Sequence, residues 1–87
     1  MKRTKTPPPK FAICVNNADY PASLELHKLY RLVPDEEGER DGDLRVIDES
    51  GEDYLYSAEY FLVVEFSRPV QRALQTSFAR AMQPAKV

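Results

Sequence analysis

Eighty-seven residues, 43% hydrophobic and 30% charged, make one ordinary globular domain near the small end of what folds alone. A chain this short buries only about 60–65% of the surface its unfolded form exposes, so its core has to be economical. A single cysteine excludes an internal disulfide, and no stretch approaches the ~20 apolar residues of a membrane-spanning helix. The start of the chain is basic and proline-rich with no apolar run behind it, unlike a secretory signal, and a reducing, cytoplasmic setting with no membrane partner is the expectation.

The net charge of −2 hides a segregation. Residues 1–10 carry Lys2, Arg3, Lys5 and Lys10 and no acid; residues 68–87 carry Arg68, Arg72, Arg80 and Lys86 and no acid. All fourteen acids therefore lie in residues 11–67 beside only four cations, which gives that segment −10. An acidic body stands between two basic ends.

Residues 1–10 read as a flexible basic leader, with Pro7, Pro8 and Pro9 favouring an extended polyproline II conformation. From Phe11 the pattern turns to strands. Phe11, Ile13 and Val15 alternate with Ala12, Cys14 and Asn16 at period 2, and Asn16 to Pro21 is a loop dense in turn formers. Leu29–Val33 makes a second strand, and the charged run Pro34–Asp43 a solvated turn. Leu44–Asp48 and Asp53–Ser57 form an antiparallel pair across a tight turn in which Gly51 is free to take a positive φ. Phe61–Phe66 is apolar on both faces. Five short strands at hairpin spacing predict a mainly β small barrel, closed because an open sheet would expose its edges.

After Ser67 the period changes. Val70, Ala73, Leu74, Phe78, Ala81 and Met82 fall on one stripe, predicting an amphipathic helix over residues 68–83 with Ser67 as N-cap and Pro69 in its first turn. At this length it would be marginal alone, so the stripe has to pack on something. The second face of the Phe61–Phe66 strand is the expected surface, and a neighbouring copy, giving a homo-oligomer through this helix, is the alternative.

The stretch Ser23–Val33 resembles the segment of SH3 domains that runs from the RT loop into the second strand. Leu55-Tyr56-Ser57-Ala58-Glu59-Tyr60-Phe61 is similar to their short 3₁₀ turn before the last strand, and Arg45–Tyr54 looks like the central hairpin of small bacterial SH3-like domains. The resemblance covers residues 11–66 and implies a five-stranded SH3-like small barrel with a C-terminal α-helix. It carries over only Tyr60 as a groove position. Cys14-Val15-Asn16-Asn17 stands where peptide-binding SH3 domains have aromatics, and the chain has no Trp, so the platform that holds a proline helix is largely missing. His27 stands where the resemblance expects Gly before Lys28.

The chemistry-bearing residues point away from catalysis. His27 is the only histidine and has no Cys or second His near it in sequence to make a zinc site or a triad. Cys14 sits between Ile13 and Val15, as a small core side chain would. The acids of Asp35–Asp43 lack EF-hand spacing. A barrel this small has no room for a pocket deep enough to retune paired carboxylates. No metal, cofactor or enzymatic activity is expected. Tyr54, Tyr56 and Tyr60 are the candidate contact residues of an interaction module that attracts a protein partner with a basic surface. The body's −10 disfavours nucleic acid on the barrel itself, leaving the two basic arms as the alternative route to a phosphate backbone.

Overall fold

A computed structural model describes residues 10–81. Five antiparallel strands follow in order, β1 Lys10–Cys14, β2 Leu29–Val33, β3 Asp43–Ile47, β4 Asp53–Ser57 and β5 Phe61–Val64, with a five-residue helix α1 Glu36–Arg40 between β2 and β3 and a C-terminal helix α2 Arg68–Ala81. A 3₁₀ turn, Ala58–Tyr60, links β4 to β5. The leader ahead of Lys10 and the expected last helical residues 82–83 lie outside the described residues, and no helix among those described is long and apolar enough to cross a membrane.

The strands pair in the order β4-β3-β2-β1-β5. The expected barrel is realised as a curled half-barrel, with β4 and β5 left as its two edges. Register assigns the faces, because residues directly opposite in an antiparallel pair point the same way. Ala12 lies opposite Tyr30 and Val63, Cys14 opposite Phe61, and Leu44 opposite Tyr56. This inner face carries the core of Ala12, Cys14, Tyr30, Val46, Tyr56 and Phe61, into which Leu24 plugs from the β1–β2 loop. Cys14 is fully buried there, as its apolar neighbours predict.

The outer face carries a second, smaller apolar centre. Phe11, opposite Arg31 and Val64, is fully buried although it points away from the core. The Phe66 ring meets it edge-on at 5.8 Å and the Phe78 ring of α2 stacks on it at 6.0 Å. The Arg31 guanidinium lies over the Phe78 ring, 5.3 Å from its centroid. The helix thus goes to the outer face, but its anchor is Phe11 of β1, and Leu62 of β5 remains 61% exposed. At the start of α2, Gln71 Nε2 donates to the Phe66 carbonyl at 2.9 Å.

The charged run after Pro34 is not a plain turn. Asp35 caps a single helical turn, accepting from the Gly38 amide at 2.9 Å, and Glu36, Glu37 and Glu39 suit the positive end of that turn. Arg45 from β3 fixes the cap by donating to Asp35 at 2.8 Å. The β3–β4 turn follows expectation, with Gly51 at φ +86°. His27 adopts φ +67°, left-handed backbone that favours Gly and that His reaches at some cost.

Candidate partner-binding site

The loop joining β1 to β2 is held by backbone bonds rather than by a hydrophobic run. The Tyr20 amide donates to the Asn17 carbonyl at 2.9 Å, and the Ser23 and Leu24 amides donate to the Tyr20 carbonyl. Asn17 Nδ2 donates to the Leu24 carbonyl at 2.9 Å, and the His27 amide to the Cys14 carbonyl at 2.7 Å. At its other flank the 3₁₀ turn is capped by Ser57, and the Tyr60 carbonyl accepts from the Val15 amide at 2.8 Å. These bonds bring the loop and the 3₁₀ turn side by side.

Three tyrosines meet at that junction. Tyr20 is 44% exposed and lies edge-on to Tyr56 at 5.1 Å and tilted against Tyr60 at 5.8 Å. The Tyr60 hydroxyl donates to Asp19 Oδ2 at 2.7 Å, and this bond to a carboxylate pushes the phenol's pKa up to about 12. Tyr56 is only 6% exposed and backs the surface from the core. Its hydroxyl donates to Asp48 Oδ2 at 2.6 Å, and burial together with that bond raises its pKa to about 12. Tyr54, two residues up β4 on the same face, is 49% exposed and bonds Glu52 at 2.8 Å. Of the three expected contact residues, the structure joins Tyr56 and Tyr60 through Tyr20 and sets Tyr54 apart beside its own carboxylate.

Asp48 organises the turn behind the tyrosines. It is buried, which alone would raise its pKa. The bonds from Ser50 and Tyr56 outweigh burial and hold the carboxyl below its usual range. Next to it, Glu49 takes Lys28 at 2.7 Å and the Tyr30 hydroxyl, and those two bonds lower its pKa. Tyr30 in turn accepts from the Glu25 amide at 2.7 Å, so this group closes the base of the loop rather than facing a ligand.

The chain matches no protein-family model, no curated protein and no solved structure. Its chemistry has to be read from this surface.

That surface is an aromatic step rimmed by acids. Among the described residues the ion pairs are Lys28–Glu49 and Arg45 with Asp35 and Asp53, so Asp19, Glu52 and Glu59 face solvent without a paired cation. Such a surface can stack on a flat or apolar group and attract a cation beside it. Tyr20 and Asp19 went unassigned in the sequence, where they sit inside a run of turn formers. The only local signal was a large aromatic placed between Asp19 and Pro21, where small polar residues would serve a turn equally well.

Proposed function

We propose that this chain is a non-enzymatic interaction module that takes a basic segment of a protein partner on the Tyr20–Tyr60 surface of its acidic half-barrel. The observation that carries this reading is the half-exposed Tyr20 ring held between Tyr56 and Tyr60 with Asp19 fixed beside it. An exposed aromatic ordered at no cost in new contacts is what a binding surface offers a partner. The SH3-like resemblance is supported by the strand order, the 3₁₀ turn before β5 and the left-handed backbone at His27. Tyr20 supplies part of the aromatic platform whose Trp is missing. The charge of −10 on residues 11–67 steers basic partners in a cytoplasmic setting.

An array of Arg- and Lys-containing peptides probed with the full chain tests this. The expected result is selective binding that falls by about tenfold or more between roughly 0.05 M and 0.5 M salt and in both Tyr20→Ala and Asp19→Asn. Binding indifferent to salt and to both variants overturns it.

A second reading rests on α2, whose Arg68, Arg72 and Arg80 are exposed and outside any ion pair among the described residues. In this reading the basic arms hold a nucleic-acid backbone. A gel-shift assay with the full chain and with Arg68→Glu/Arg72→Glu separates the two: a shift lost in the double variant favours the arms.

A further inference from the structure

Among the described residues, the acid rim of the aromatic step has no cation paired to it. Asp19 and Glu59 are exposed, and none of the four cations of residues 11–67 forms an ion pair with either. Lys28 is taken by Glu49 and Arg45 by Asp35 and Asp53, Arg31 lies over Phe78 on the outer face, and Arg40 ends α1. The hydroxyls around the step are committed as well, Tyr60 to Asp19 and Tyr56 to Asp48. The step therefore offers ring surface beside carboxylates without a cation, a pairing that suits an extended segment carrying both prolines and cations.

Residues 1–9 are such a segment. They carry Lys2, Arg3 and Lys5 with no acid, followed by Pro7, Pro8 and Pro9. Three prolines in a row favour the extended polyproline II form that aromatic surfaces take up, and the cations are complementary to a body of −10. The other basic element, α2, is also free of acids, but its Phe78 is stacked on Phe11 and its one proline lies in the first turn.

The position of β1 decides which copy supplies the segment. Residues 1–9 join the fold at Lys10, whereas the step adjoins Val15, whose amide bonds the Tyr60 carbonyl. That is five residues of strand, about 17 Å. β1 is paired on both sides, by β2 and β5, and its Phe11, Ala12 and Cys14 are fully buried, so no bare track leads back along it. A detour round the β5 edge adds about 5 Å each way. The path then takes about 27 Å, and nine residues in polyproline II span about 28 Å, so residues 1–9 of the same copy reach the step with nothing left to lie on it. We propose that residues 1–9 of a second copy lie on the Tyr20–Tyr60 surface with their cations at Asp19 and Glu59, and that two copies exchange these segments about a two-fold axis. The exchange closes at two copies and covers the surface that a basic partner needs, so a partner has to displace it. It rests on the reading of that surface as a site for basic segments.

Sedimentation equilibrium of the full chain from low micromolar to millimolar concentration tests the exchange. The expected result is a mass that doubles with concentration in low salt, and a chain that stays monomeric throughout overturns the proposal. Lys2→Gln/Arg3→Gln/Lys5→Gln should weaken association about tenfold or more, and so should Tyr20→Ala. Arg68→Gln/Arg72→Gln, which removes nearly as much charge from the helix, should change it less than about threefold. Association that survives either of the first two variants, or that falls equally in the helix variant, overturns the proposal. In the unmodified chain the amide resonances of Asp19 and Tyr20 should shift as concentration rises, a readout free of any folding defect, and resonances that stay fixed overturn it as well. The peptide array separates this exchange from the reading beneath it. If the Lys2/Arg3/Lys5 variant binds basic peptides in a Tyr20-dependent way while the parent chain is monomeric, the exchange is wrong and the surface reading stands. If that variant binds none of them either, the surface reading falls with it.

Discussion

Tyr60 donates its hydroxyl to Asp19 at 2.7 Å across 41 positions of sequence, tying the 3₁₀ turn before the last strand to the tip of the first loop. The carboxylate favours the protonated phenol, which is why Tyr60 titrates near 12 instead of near 10. In Asp19→Asn that bias is removed. Absorbance titration near 295 nm should then show one tyrosine moving down towards its ordinary value, and the same titration of Tyr60→Phe identifies which one. A profile identical to the parent chain's would mean that the bond does not form in solution.

Asp48, Glu49 and Asp35 all have folded-state pKa values below those of the unfolded chain. Asp48 is lowered by Ser50 and Tyr56 against its burial, Glu49 by Lys28 and Tyr30, and Asp35 by the Gly38 amide and Arg45. Each therefore contributes stability that is fully present above its unfolded value of roughly 4 and is lost as pH falls through its folded value. Urea unfolding should show stability flat from neutrality to about pH 5 and declining below it. Tyr56→Phe, which leaves the buried Asp48 short of a donor, should cost about 1–3 kcal/mol at neutral pH.

How much of this was legible in the sequence follows from the range of the forces involved. Strands β2 and β4 fall where alternation and turn residues put them, because both signals are local. Helix α1 was hidden in Pro34–Asp43 because seven charged residues look like solvent-exposed loop. What makes it a helix is the capping carboxylate of Asp35, and Arg45 holds that carboxylate from another strand. The alternation of Phe11, Ile13 and Val15 marked one face of β1 without saying that it is the outer one, since both faces of that strand are apolar. The Tyr20 contacts with Tyr56 and Tyr60 depend wholly on chain closure, and no local period announces them.

His27 occupies the left-handed region at φ +67° with an exposed side chain. A residue with a Cβ pays roughly 1–2 kcal/mol there, while Gly gives back part of that gain through its freer unfolded chain. His27→Gly should therefore stabilise the fold by about 0.5–1 kcal/mol in chemical denaturation. His27→Val, β-branched at the same φ, should destabilise it. Equal stability of all three would show that the loop backbone relaxes out of this conformation.

Phe78 ties the helix to the sheet. No residue of α2 is fully buried, but Phe78 stacks on the fully buried Phe11 and has the Arg31 guanidinium over its ring. The Nε of Arg31 is itself buried without a hydrogen-bond partner among the described residues, so the guanidinium depends on the aromatic face below it. Truncating Phe78 uncovers Phe11 and removes that face in one step. Because the ring is only partly buried, the cost falls below that of a full core truncation, and about 1–3 kcal/mol is expected for Phe78→Ala. Val70→Ala, at an exposed position of the same stripe, should stay within about 0.5 kcal/mol of the parent chain. If both variants melt like the parent, α2 does not dock on its own half-barrel. If Phe78→Ala alone falls, Phe11 is the surface that the stripe of α2 was built to cover.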